Sequence, residues 1–157
     1  MKAMSFHIVL VEPEIPANTG NISRTCAATG AILHLVRPLG FDTDDRTLKR
    51  AGLDYWHSVQ IEYHDSFDEV LAAYPQGRFF YASTKASKPY SQFDYRDGDF
   101  FVFGKETKGL PQELIDANKE TCIRMPMTDK VRSLNLSNSA AIIVYEALRQ
   151  NDFPGLE

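Results

Sequence analysis

The chain has 157 residues, enough for one compact domain whose core needs neither disulfides nor a structural metal. Hydrophobic residues at 43% and charged residues at 24% are ordinary for a soluble globular protein. A formal net charge of −4 argues against a protein that grips nucleic acid by bulk charge, so any RNA contact must come from local basic patches.

Phe6–Val11 is continuously apolar and is expected to be a buried strand. It is far too short to span a bilayer, and no cleavage site follows it, so no targeting segment is expected. Pro13 and Pro16 break the chain, after which Asn18 is expected to cap a helix running to about Thr29, with Gly30 as its stop. Ala31–Val36 reads as a second strand, Arg37–Gly40 as a loop, and Asp44–Ala51 as a short helix ended by Gly52. Ser58–Tyr63 follows as a third strand, Ser66–Tyr74 as a helix closed by Pro75, and Arg78–Ala82 as a fourth strand. Asp99–Phe103 is almost purely aromatic and aliphatic, which predicts a central strand buried on both faces. Pro111 opens another helix, Thr121–Met125 is a sixth strand ended by Pro126, and the last helix spans about Ser137 to Gln150 with Ser137 or Asn138 as its cap. Alternation of strands and helices implies an α/β fold with a mostly parallel sheet, whose ligand sites belong at the carboxyl ends of strands. The last helix is apolar nearly all round in its middle, from Ala140 to Leu148, so more than one side must be covered. A partner subunit is expected on one of them.

Three loops carry the polar chemistry. The first, Glu12 to Arg24, puts Asn21 and Arg24 on one helix face, and Gly20 in its first turn would let a ligand approach the backbone. The second, Gly104-Lys105-Glu106-Thr107-Lys108-Gly109-Leu110-Pro111, has its glycines spaced as in a phosphate loop. Leu110-Pro111 stands where Lys and Ser or Thr are required, which excludes an NTPase. What remains is a tight loop with one carboxylate, Glu106, suited to a close-fitting ligand of positive character. The third, Met125 to Ser139, is dense in short hydrogen-bonding side chains before an apolar helix. His7, His34, His57 and His64 show no metal-ligand spacing, no G-x-S-x-G elbow is present, and no G-x-G-x-x-G follows a strand. No metal is expected. Arg46, Lys49 and Arg50 form one basic patch, Lys85 and Lys88 a second, and Arg124, Lys130 and Arg132 a third. Cys26 and Cys122 form no CxxC pair, which suits a reducing cytoplasm.

Together these segments resemble, in order, the three motifs of the SPOUT methyltransferases, and most closely the TrmL/YibK family of tRNA (cytidine/uridine) 2′-O-methyltransferases. The carrying residues are Pro13–Arg24, Gly104–Pro111, Met125-Pro126-Met127 and Ser133–Asn138, with Arg50-Ala51-Gly52-Leu53-Asp54-Tyr55 also fitting. The resemblance covers nearly the whole chain as a single domain, 1–157. It implies an α/β fold with a C-terminal trefoil knot, a homodimer, S-adenosylmethionine as methyl donor, and the wobble ribose of tRNA as acceptor. It implies a cofactor pocket of Ala82, Gly104, Met125, Ser133 and Leu134, and a catalytic Arg24 serving the cofactor of the other subunit. Asn18, Glu106, Ser133 and Asn135 match the family's other polar positions. A guanidinium stays protonated, so Arg24 is expected to stabilise the developing oxyanion or the adjacent phosphate rather than act as a base. Lys130 and Arg132, just before Ser133, are expected to contact RNA phosphates. The alternatives are a related enzyme acting on another RNA, such as rRNA, and a cofactor-binding RNA-binding protein without catalysis.

Overall fold

The computed structural model describes residues 3–52 and 55–157; Leu53 and Asp54 of the fourth matching segment lie outside the described residues. Six strands form one sheet, β1 (His7–Val11), β2 (Ile32–Val36), β3 (Ile61–His64), β4 (Phe79–Ala82), β5 (Phe100–Phe103) and β6 (Cys122–Ile123), in the order β3-β2-β1-β5-β4-β6. Every neighbouring pair is parallel. β5, Phe-Phe-Val-Phe, is buried throughout and lies between β1 and β4, as its composition predicts.

Among the described residues four α-helices lie between strands, α1 (Pro16–Thr29), α2 (Arg46–Gly52), α3 (Phe67–Ala73) and α4 (Gln112–Ala117), and a fifth, α5 (Leu136–Gln150), follows β6. Strand alternation divides the core into two layers. Ile8, Leu10, Leu33, Leu35 and Phe101 point to the face covered by Ile22 and Cys26 of α1 and by Ala140, Ile143, Val144 and Ala147 of α5. Val9, Val11, Val36, Phe100 and Val102 point to the face covered by Val70 of α3 and Ile115 of α4. Fully burying one such aliphatic side chain contributes about 1.5–3 kcal/mol, so α1 and α5 are held chiefly by packing.

Several boundaries differ from expectation for local reasons. Helix α1 begins at Pro16, with Ile15 at the cap position and no side-chain cap, because proline is preorganised for the first helical turn. Asn18 therefore lies inside the helix. Gly20 does not admit a ligand, because a Cβ there would stand 2.3 Å from the Leu48 carbonyl oxygen of α2. Helix α5 is capped by Asn135, whose Oδ1 accepts from the Ser137 and Asn138 amides, rather than by either of those residues. A 3₁₀ turn over Tyr55–Ser58 delays β3 to Ile61, and β6 keeps only two residues. Ser66 caps α3 as expected, accepting from the Glu69 amide. Among the described residues, no helix is long and apolar enough to cross a membrane.

Candidate active site

β2 and β3 step outward on one side of β1, while β5, β4 and β6 extend from the other. The crevice at the carboxyl ends of strands beside such a reversal is where open parallel sheets hold ligands. A cleft of about 490 Å³ opens there. Its floor is Ala82 at the end of β4 and Phe103 at the end of β5, and its walls are the 104–110 loop, Met125, Met127 and the 132–136 segment. Ile15 and Asn18 close the side nearest β1. All five residues expected to hold the cofactor, Ala82, Gly104, Met125, Ser133 and Leu134, line this cleft, as do Asn18, Glu106 and Asn135.

A polar chain ties the three loops together. The Glu106 carboxylate accepts hydrogen bonds from the Glu14 amide at 2.8 Å, the Ile15 amide at 2.8 Å and Asn18 Nδ2 at 3.2 Å. It thus serves the unsatisfied amides at the start of α1, where negative charge is favoured. Asn18 Oδ1 accepts from Asn135 Nδ2 at 3.1 Å. Asn135 Oδ1 in turn accepts from the Ser137 amide at 2.9 Å, the Asn138 amide at 3.2 Å and Ser137 Oγ at 2.6 Å. Glu106 is therefore not a freely solvated glutamate: three donors from the 14–18 segment engage its carboxylate. It positions the loop against α1. A second brace runs the opposite way: Glu14 Oε1 accepts from the Thr107 amide at 3.0 Å and from its hydroxyl at 2.7 Å. These bonds hold the Glu14 carboxyl below its usual range. Sequence reasoning did not single out Glu14 or Thr107, which are 93 residues apart.

The glycines of the second loop have steric reasons. A Cβ on Gly104 would stand 2.0 Å from the Gly109 carbonyl carbon, so the loop's two ends meet over it. Gly109, at φ 70°, has the left-handed backbone that closes the turn, and its amide donates to the Lys105 carbonyl at 2.8 Å.

Arg24 does not line this cleft. It is exposed two turns along α1, with its guanidinium 5.8 Å from the Tyr55 ring centroid. It opens instead on a groove between α1 and α5, shared with Asn21, Thr25, Asn138, Ala141 and Tyr145. Next to the groove, α5 leaves Ile142 39% and Tyr145 43% exposed, so one face of this apolar helix is uncovered within the chain.

The third basic patch divides. Arg124 turns inward, its Nη1 donating to the Thr84 carbonyl and, at 3.3 Å, to that of Ala86. Lys130 and Arg132 stay exposed, and Arg132 borders the cleft. In the second patch Lys85 donates to Gln112, and Lys88 lies 4.3 Å from the Phe93 ring centroid. Arg46, Lys49 and Arg50 are exposed on α2.

The sequence profile of the SpoU rRNA Methylase family matches residues 5–145. A protein of Bacillus subtilis (strain 168) is 59% identical over 160 residues, covering 100% of both chains. The tRNA (cytidine(34)-2′-O)-methyltransferase of Escherichia coli (strain K12) is 48% identical over 150 residues, covering 95% of this chain and 96% of its own. A solved structure described as giving structural insights into the 2-OH methylation of C/U34 on tRNA superimposes with a TM-score of 0.90 at 45% identity, covering 95% of this chain and 97% of that one.

Proposed function

The chain belongs to the SpoU rRNA methylase family, and from that premise we propose that it transfers a methyl group from S-adenosylmethionine to the ribose 2′-hydroxyl of the wobble cytidine or uridine in tRNA anticodons. The observation that carries the reading is the convergence of all three motif segments on one cleft at the carboxyl ends of β4 and β5. Full-length relatives named for tRNA, at 48% identity and above, favour tRNA over rRNA.

The residues present fit the donor. The cleft has the volume of a small-molecule site, apolar walls at Leu110, Ile115, Met125 and Leu134 for a flat heterocycle, and a glycine cradle at Gly104 that a side chain would fill. S-adenosylmethionine supplies a methyl group already activated on a sulfonium, so the protein's work is position and charge. Ala82, Gly104, Met125, Ser133 and Leu134 would hold it. Glu106, Asn18 and Asn135 fix the loops that surround it, and Ser133 has its hydroxyl available to orient the acceptor. Arg24 would stabilise negative charge growing on the ribose oxygen or carried by the adjacent phosphate.

Arg24 points away from its own cleft, which supports a site made by two subunits. A homodimer pairing on the α1/α5 face would cover Ile142 and Tyr145 and carry Arg24 to the partner's donor. Arg132, which borders the cleft, and the exposed Lys130 would contact RNA phosphates. A C-terminal trefoil knot within one domain over 1–157 belongs to the same proposal. It rests on membership of the family, whose sequence profile spans residues 5–145. A tRNA substrate and two free, buried thiols suit a reducing cytoplasm.

The test is incubation with methyl-labelled S-adenosylmethionine and, separately, total tRNA lacking this modification and rRNA. Label in tRNA is expected. Label confined to rRNA would move the substrate, and bound donor without label in either would remove the activity.

A further inference from the structure

None of the cleft's lining comes from the β1–β3 half of the sheet, where a second group of side chains gathers. The register sets His34 opposite Val9 and Glu62, and His64 opposite Val36, so His7, His34 and His64 lie on one face of three adjacent strands. His34 is fully buried, and His64 is 7% exposed. His34 Nδ1 stands 3.0 Å from His64 Nε2 and 3.7 Å from Glu62 Oε1. All three ligating atoms lie within 4.8 Å of one another. Ligand atoms about 2.0–2.1 Å from a tetrahedral zinc ion stand roughly 3.3 Å apart, between the two separations found here. A proton shared by His34 and His64 would satisfy that pair. It would leave Glu62 Oε1 beyond hydrogen-bonding reach of the same nitrogen. An ion between the three engages them all.

We propose that His34 Nδ1, His64 Nε2 and a Glu62 carboxylate oxygen form a binding site for a divalent transition metal, with zinc the ion suited to this donor set. The surroundings resemble an outer ligand shell. His7 Nδ1 lies 2.8 Å from His34 Nε2, so a proton on His34 Nε2 donated to His7 leaves His34 Nδ1 with its lone pair toward the ion. The Tyr74 hydroxyl, 2.8 Å from each Glu62 oxygen, orients the carboxylate. His7 stacks on Phe100 with centroids 3.9 Å apart, and Tyr74 packs edge-on against His7 and His34, which fixes the ring planes. Glu62 is 30% exposed on the edge strand β3, which leaves a route from solvent and room for a water as fourth ligand. The ion would pin β3 to β2 and take no part in methyl transfer.

Chelator-treated full-length protein should take up one zinc ion per chain in calorimetric titration and melt at a higher temperature when loaded. Cobalt in its place should show the intense visible absorption of tetrahedral coordination. Glu62→Gln, which keeps shape and folding, and His64→Ala, checked for folding by circular dichroism, should abolish stoichiometric uptake. Tyr74→Phe should weaken it about 10-fold or more. No stoichiometric uptake by the folded wild-type chain overturns the proposal. So does uptake of unchanged affinity in Glu62→Gln, which alone decides if His64→Ala fails to fold.

Discussion

Replacing Glu106 by alanine should cost both stability and activity, and the structure sets the size. The carboxylate accepts from two backbone amides at 2.8 Å and from Asn18 Nδ2 at 3.2 Å, at the positive end of a 14-residue helix. A hydrogen bond to a charged group contributes about 1.5–3 kcal/mol when buried, and an anion at a helix start adds about 0.3–1 kcal/mol. Ile15 is 45% exposed, so water replaces part of what is lost. A net loss of roughly 2–3 kcal/mol follows for Glu106→Ala, a fall in Tm of roughly 5–10 °C in a chain of this length. Glu106→Gln keeps one acceptor oxygen and turns an N–H toward a donor, so it should fall between alanine and wild type. Urea and thermal unfolding read the stability, and calorimetry with S-adenosylhomocysteine reads the cleft, whose loop should loosen with it. An alanine variant melting within about 1 °C of wild type would refute the positioning role.

Gly104→Ala places a Cβ 2.0 Å from the Gly109 carbonyl carbon, so cofactor affinity should fall by at least about tenfold, checked by calorimetry on folded protein. Arg24→Ala should abolish turnover while cofactor affinity and Tm stay near wild type, because its guanidinium touches neither the cleft nor the core; near-normal methylation would remove its role. The Lys130→Ala, Arg132→Ala double variant should weaken tRNA binding and flatten its salt dependence in filter binding, since both cations are exposed and Arg132 borders the cleft. Burial pushes the Cys26 thiol up to about 12 and also raises Cys122. Both should therefore resist Ellman's reagent at pH 8 in the native protein and react once urea unfolds it, where thiol pKa values return to about 8.5.

Strongly patterned segments were legible in the sequence. The continuous apolar runs of β1 and β5 declared buried parallel strands, and the apolar circumference of α5 declared a face with no cover in the chain. Asn18 was misplaced because a good capping residue stood close to a helix start that Pro16 had already set. The same displacement freed its side chain to link Glu106 to Asn135. Cross-links between distant loops left no local signal: Glu14 meets Thr107 only because β1 and β5 lie side by side. The histidines are separated by 27 and 30 residues, and strand register alone brings them together. Arg124 could not be told from its neighbours Lys130 and Arg132, since a guanidinium turned onto the Thr84 and Ala86 carbonyls looks, in sequence, like any other surface charge.

The most direct test of methyl transfer to the wobble ribose is mass-spectrometric mapping of tRNA lacking the modification after incubation with this protein and S-adenosylmethionine. The account predicts one added methyl, on the ribose of the wobble cytidine or uridine, and none with Arg24→Ala. A methyl found on a base, or on a ribose elsewhere in the tRNA, would contradict it.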